Sequence, residues 1–375
     1  MKLWPKSLRW QDDHKTMQIL KVKLGDRSYP ICVGNGILSS AGNMLKEIGM
    51  SGKVAIVTNP VVAQLYLDTV HDALCHAGFE VTPILIPDGE HHKTLTTLAV
   101  IFDSLVGKRF ERRSCVLALG GGVVGDLAGF AAATYLRGIQ FVQIPTTLLA
   151  QVDSSVGGKT GVNHGDGKNL IGAFYQPRTV IIDASVLLSL PRRELVAGLA
   201  EVVKYAIIED PGLFMLLEEK IDKLLRLDLS VLSEVIATCC SIKASIVEQD
   251  EREDDYRAVL NFGHTIGHAL ESATHYRRFL HGEAVGIGMV QAAAISSEQG
   301  ICDSATVDRI KKLIKAAGLP TEIPADLSVQ SLVQCMQVDK KIAGGKIRFV
   351  MSAGLGKTHF HSLTPAQVAA TLGAS

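Results

Sequence analysis

An α/β domain built on a parallel sheet, followed by an all-α domain, is the fold class that three features of the sequence predict. From Lys53 to about Leu190, short β-rich runs alternate with runs of helical length, an alternation that builds a parallel sheet covered by helices. After Leu190-Pro191 the chain reads as long amphipathic helices. Its length of 375 residues, 47% of them hydrophobic, favours two domains over one. The expected division is an extension over residues 1–16, an α/β nucleotide-binding domain over 17–190 and a helical metal and substrate domain over 191–375.

The expected strands are Val54–Val57, Val81–Ile86, Cys115–Leu119 and Phe141–Ile144, with helical crossovers over Val61–Ala77 and Leu95–Val106. Asp153–Gly172 is rich in glycine and polar turn residues and reads as an extended cleft loop. The helices of the second half run over Arg193–Ile208, Leu213–Leu227, Leu232–Val247 and Ala284–Glu298. The first 16 residues lack a clear period and read as a loosely held extension.

The 38 basic and 38 acidic residues cancel, which removes the bulk electrostatic reason to expect nucleic acid or an anionic membrane as partner. A small-molecule ligand is expected instead. The seven cysteines include no C-x-x-C pair and lie in mostly apolar surroundings, the pattern of reduced core thiols in a reducing, cytoplasmic compartment. Neither a signal h-region nor a run of about 20 apolar residues stands out, so a soluble protein is expected.

Leu119-Gly-Gly-Gly-Val-Val-Gly-Asp126 follows a buried strand and opens a helix, and Gly120, Gly122 and Gly125 satisfy G-x-G-x-x-G. Backbone amides there can hold a pyrophosphate. The match to a Rossmann unit is incomplete, because no acid ends the following strand. A complementary acid stands on the strand before, in Pro87-Asp-Gly-Glu-His-His-Lys93, where Asp88 could take ribose hydroxyls and Lys93 lie near phosphate. Read alone, Asp88-Gly89 is turn chemistry; the two strand ends together point to a dinucleotide.

Asn261-Phe-Gly-His-Thr-Ile-Gly-His268 spaces two imidazoles four apart, on one face if helical. His281 stands at the entry to another helix, and Glu201 lies in the apolar stretch Leu195–Ile208, where a carboxylate without a metal or cation partner is costly. One carboxylate, two imidazoles and an open position make a catalytic zinc site. Glu201 and Lys204 read equally as an i, i+3 surface pair. Arg137, Lys159, Lys168, Lys204, Lys243, Arg257, Lys340, Lys341 and Lys346 flank these motifs and suit an anionic substrate. Arg257 precedes Asn261 by four and His264 by seven, nearly one helical face.

Along about Leu20 to Thr358 the chain resembles the 3-dehydroquinate synthases, through Gly120–Gln176, Ala200–Tyr205, Asn261–His268 and His281–Val285 in order and spacing. The resemblance implies a homodimer, a phosphate-eliminating carbon–oxygen lyase, and a sugar-acid phosphate, 3-deoxy-D-arabino-heptulosonate 7-phosphate, as substrate. It implies zinc, or cobalt, on Glu201, His264 and His281. NAD would lie along Asp88, Gly89, Glu90, His91, His92 and Lys93, along Gly122, Val123, Val124, Gly125 and Asp126, and on Thr146, Thr147, Lys159, Lys168 and Val186, Leu187, Leu188, Ser189. Asp153, Lys204, Lys243, Arg257, Asn261 and His268 would surround substrate hydroxyls and carboxylate. Lys159, Asn169 and one of the C-terminal lysines Lys340, Lys341 or Lys346, with Arg137 from the neighbouring subunit, would hold phosphate. The competing readings are an amino-dehydroquinate synthase, an inosose- or valiolone-forming cyclase, an NAD- and metal-dependent polyol dehydrogenase, and a dinucleotide sensor without catalysis.

Overall fold

The computed structural model describes residues 17–165, 167–338, 342–343 and 345–374. Contacts divide the chain into two compact units, which meet in sequence between Val186 and Leu187.

The N-terminal unit is built on a seven-stranded sheet. Its strands are β1 (Gln18–Val22), β2 (Tyr29–Gly34), β3 (Lys53–Thr58), β4 (Glu80–Leu85), β5 (Cys115–Gly120), β6 (Gln140–Pro145) and, after a separate hairpin, β9 (Thr179–Asp183), in the order β1-β2-β9-β6-β5-β3-β4. Only β1 pairs antiparallel; every other neighbour in this sheet is parallel. Near-continuous apolar runs suit such strands because both faces are covered. Val54 and Ile56 of β3 pack with Met44, Leu45, Val70 and Leu74. Ala55 and Val57 pack on the other side with Leu98, Ile101, Leu127 and Ala131. The order of strand addition reverses at β3, with β4 added on one side and β5, β6 and β9 on the other, and such a switch point between β3 and β5 opens a ligand crevice at the strands' carboxyl ends.

Asp153–Gly172 is not the irregular loop its composition predicts. A π-helical turn, Ala150–Ser154, leads into a hairpin of β7 (Lys159–His164) and β8 (Gly167–Phe174). The glycines serve the ladder: Gly161 faces Gly172, and a Cβ on the latter would lie 2.1 Å from the Thr160 carbonyl oxygen. Val162 anchors the hairpin in the sheet's core.

The second unit is helical, with helices at Arg192–Ile208, Pro211–Leu225, Leu229–Gln249, His264–Ala273, His281–Glu298, Ser304–Ala316, Val329–Val338 and Pro365–Ala374. It also carries a small antiparallel sheet absent from the sequence expectation: β10 (Ile342–Ala343), β11 (Lys346–Ser352) and β12 (Thr358–Leu363). Ile347, Phe349 and Met351 of β11 alternate inward against Ile266, Leu270, Ala284 and Ile287, so the sheet supports two of the helices described below. Helix starts lie a few residues earlier than hydrophobic periodicity suggests where a polar cap precedes it. Asp210 accepts the amides of Gly212 and Leu213 ahead of Pro211, and Asp228 those of Ser230 and Val231. Leu229–Gln249 is long and apolar enough to cross a membrane, against expectation, but 67% of its apolar window is buried within the protein, as in a core helix.

Candidate metal centre and dinucleotide site

In the second unit three helices converge because glycines let their backbones touch. A Cβ at Gly282 would lie 1.9 Å from the Ala197 carbonyl oxygen, and one at Gly288 2.0 Å from that of Gly263. Gly263 itself adopts φ +79 beside the Met289 backbone. This break corrects the single helical face expected for Arg257, Asn261 and His264. Tyr256–Asn261 is a separate 3-10 turn, and His264 opens the next helix.

The close packing gathers Glu201, His264, His268 and His281. Ring centroids lie 5.4 Å apart for His264–His268, 5.2 Å for His264–His281 and 5.8 Å for His268–His281. One nitrogen from each lies within 4.8 Å of the others. The Nδ1 atoms of two rings are committed. That of His264 is 3.1 Å from the Phe262 carbonyl oxygen, and that of His281 is 3.1 Å from Oε2 of Glu271. Both partners only accept, so Nδ1 carries the hydrogen and, in the neutral ring, Nε2 presents a lone pair. Those Nε2 atoms lie 3.6 and 3.9 Å from Oε1 of Glu201. Glu201 is wholly buried, and its Oε1 has no hydrogen-bond partner among the described residues.

A buried carboxylate oxygen without a donor, facing two imidazole lone pairs beyond hydrogen-bonding distance, fits a divalent ion. Two ligands at bond lengths of about 2.1 Å around one tetrahedral ion stand a little over 3 Å apart. A nitrogen of His268 also lies within 4.8 Å of nitrogens of the other two rings, so the three imidazoles form an alternative ligand set. The orphaned Glu201 oxygen and the two pinned Nδ1 atoms nevertheless favour Glu201, His264 and His281. Burial, then the charge of Lys204, holds the His264 pKa well below its usual value, so this ring is neutral as a ligand must be. Burial by itself lowers that of His281, but the hydrogen bond and charge of Glu271 outweigh it and raise the value.

Lys204 pairs with the other Glu201 oxygen as the expected i, i+3 pair, but in the core and not on the surface. Arg257 is 1% exposed and donates from Nη1 to the Glu251 carbonyl oxygen at 2.6 Å. Its backbone amide and those of Asp254 and Asp255 are held by the Asp250 carboxylate at 2.9–3.0 Å. Asn261 donates to Glu253 at 3.1 Å, and Lys243 is buried on Leu229–Gln249. Lys340 and Lys341 lie outside the described residues, and Lys346 begins β11.

In the N-terminal unit the strand ends form a second constellation. Gly122–Thr134 starts directly after β5 with no side-chain cap at Gly121, leaving first-turn amides for an anion. Close packing explains the glycines: a Cβ at Gly120 would meet Val124 at 2.6 Å, one at Gly121 Thr147 at 3.1 Å and one at Gly125 Gln143 at 2.9 Å. Asn59, after β3, donates to Asp88, after β4, at 2.7 Å. Gly89 has φ +108, and Glu90–His92 form a 3-10 turn with the two imidazoles 4.0 Å apart. Lys93 is buried and pairs with Asp126 and with the Asn169 side chain. Asn163 joins the set, accepting the Asn169 amide at 2.9 Å and donating to Glu90 at 2.8 Å. Lys93, expected near phosphate, is thus tied to an acid and an amide within the unit.

Thr146 is buried with its amide on the Gly120 carbonyl oxygen, and Thr147 accepts the Ala150 amide. Asp153 sits in the π-helical turn, Lys159 and Lys168 on the hairpin, and Arg137, at φ +67, beside the end of Gly122–Thr134. Val186 and Leu187 are buried, whereas Leu188 and Ser189 are exposed. The sequence reading missed Asn59, Asn163 and Glu271. Glu271 left a signal, since it follows His264 by seven and His268 by three on one helix.

A family profile described as 3-dehydroquinate synthase N-terminal matches residues 83–197, and one described as 3-dehydroquinate synthase C-terminal matches 198–342. A 3-dehydroquinate synthase of Citrifermentans bemidjiense is 51% identical over 92% of this chain and 95% of its own. One of Geobacter metallireducens is 52% identical over 91% and 94%. Among solved structures, 2-deoxy-scyllo-inosose synthase complexed with carbaglucose-6-phosphate, NAD+ and Co2+ aligns with TM-score 0.87 at 26% identity, covering 95% of this chain and 99% of that one. The 2-epi-5-epi-valiolone synthase of Streptomyces hygroscopicus, with NAD+ and Zn2+ bound, aligns at 0.85 and 27%, covering 94% and 98%. Butanol dehydrogenase A of Thermotoga maritima, at 16% identity and TM-score 0.64, shares the fold.

Proposed function

Because the chain belongs to the 3-dehydroquinate synthase family, we propose that it converts 3-deoxy-D-arabino-heptulosonate 7-phosphate to 3-dehydroquinate and phosphate, a step of the shikimate pathway to aromatic amino acids. The observation that carries this reading is the partnerless Oε1 of buried Glu201, turned toward Nε2 of both His264 and His281. Residues 17–190 act as the NAD domain and 191–375 as the metal and substrate domain. Glu201, His264 and His281 hold zinc or cobalt. When bound, the ion would supply Lewis-acid polarisation of a substrate hydroxyl and NAD a reversible hydride acceptor, the chemistry that would acidify the neighbouring C–H for β-elimination of phosphate.

The chain's own residues bind, orient and move protons. The uncapped amides of Gly122–Asp126 receive the dinucleotide phosphates, while Asp88, held by Asn59, takes ribose hydroxyls. Asp88–Lys93, Thr146, Thr147, Lys159, Lys168 and Val186–Ser189 complete the cofactor surface. Lys204, Lys243, Arg257 and Asn261 bind substrate hydroxyls and carboxylate, with Asp153 and His268 relaying the hydroxyl proton. Lys159, Asn169 and one of Lys340, Lys341 and Lys346 orient the phosphate, which takes up the proton itself, and Arg137 of a neighbouring subunit completes that site in a cytoplasmic homodimer.

NADH formed in the oxidation would return its hydride to the ketone once phosphate has left, before the ring opens and closes by an intramolecular aldol step, so NAD would show no net consumption. Purified, metal-loaded protein should therefore release phosphate in many-fold excess over NAD without absorbance growing at 340 nm, and Glu201→Ala should abolish release. NADH accumulating on a polyol, with no phosphate released, would replace this reading by a dehydrogenase.

A further inference from the structure

We propose that Glu271 is a positioning residue for the metal centre, holding the His281 ring so that its Nε2 faces the partnerless oxygen of Glu201. Glu271 lies on the helix that supplies His264 and His268, at the seventh position after the former, and is 4% exposed. Its Oε2 stands 3.1 Å from His281 Nδ1. His281 is the first residue of its own helix, where one turn of backbone gives the side chain little support. The close approach of Gly282 to Ala197 sets the position of the helix but holds only its backbone. The Glu271 carboxylate holds the ring, since it can only accept and so selects the tautomer with a lone pair on Nε2. His264 has an equivalent anchor in a backbone carbonyl that no substitution of its own helix removes. His281 depends on a side chain, which makes Glu271 the adjustable element of the site.

This inference rests on Glu201, His264 and His281 being the ligands, and the experiment separates the two. Co2+ affinity is measured on the full chain by chelator competition, with the visible Co2+ absorption recorded, for wild type, Glu271→Gln, His281→Ala and the double variant. Glutamine keeps the size and an acceptor but drops the charge, so the apo protein should melt like wild type. Glu271→Gln should weaken Co2+ binding about 10- to 100-fold and shift the absorption band. In the His281→Ala background the same change should have no further effect on affinity. Unchanged Co2+ affinity in Glu271→Gln, or an equal loss in both backgrounds, would overturn the positioning role. Wild-type affinity in His281→Ala would instead overturn the ligand set on which it rests.

Discussion

Glu201 and Lys204 form an ion pair on adjacent turns of Arg192–Ile208, with side chains 0% and 2% exposed. Removing one member of such a pair strands the other charge in the core, at a cost of roughly 3–5 kcal/mol. Lys204→Ala should accordingly lower the unfolding free energy of the apo protein, measured by denaturant titration, by that order, and zinc should recover much of the loss by taking over the counter-charge to Glu201. Equal losses with and without zinc would deny the ion its place beside Glu201. Asp250 acts by a different means. Slight burial alone raises its pKa, but the amides of Asp255, Arg257, Asp254 and Glu253 outweigh it and hold the value below normal. A depressed carboxylate stabilises the folded state at pH above its unfolded value of about 3.9, and that contribution disappears as pH falls through the folded pKa. Amide protection across 250–257 should therefore persist above about pH 4 and fade below it, and hydrogen exchange on Asp250→Asn should show that acid step removed.

At the scale of elements, the metal site depends on helices brought closer than any side chain permits. Gly282→Ala would force a methyl against the Ala197 carbonyl, one turn before Glu201. Such overpacking typically costs 1–3 kcal/mol, and relief requires His281 to move away from Glu201. Co2+ affinity should fall by at least about tenfold, since each ligand must hold its bond length within ~0.2 Å. Gly286→Ala provides the control on the same helix, because its Cβ would stand 3.3 Å from Leu319 Cβ and could be accommodated with small shifts. The hairpin β7–β8 carries the same lesson. Its glycines suggested a loop, but a glycine pair directly across a ladder is equally a means of close backbone approach, and sequence alone does not distinguish the two.

For the whole molecule, a ligand bound only by the folded state raises stability by mass action, about 2.7 kcal/mol at a free concentration 100 times its Kd. Zinc and NAD should each raise the melting temperature, and Glu201→Ala should abolish the zinc effect while leaving that of NAD. Loss of both effects would mean that the substitution disturbs more than the metal ligands. Whether NAD turns over within the cycle or accumulates as NADH separates a cyclase from a dehydrogenase such as the butanol and glycerol dehydrogenases that share this fold at 14–16% identity.

The sequence by itself determined the alternation of strands and helices, the helical second half, the glycine turn opening Gly122–Thr134 and the imidazole pair at His264 and His268. Each is a local pattern, legible because periodicity and turn chemistry act over a few residues. Only the tertiary structure decided that Glu201 and Lys204 pair in the core and not at the surface, and that Gly263 separates Arg257 and Asn261 from the helix of His264. It also decided that Lys93 is taken up by Asp126 and Asn169, and that Glu271 stands behind His281. These depend on which distant segments meet. Burial and the choice of hydrogen-bond partner are properties of that meeting, and no window of sequence contains them.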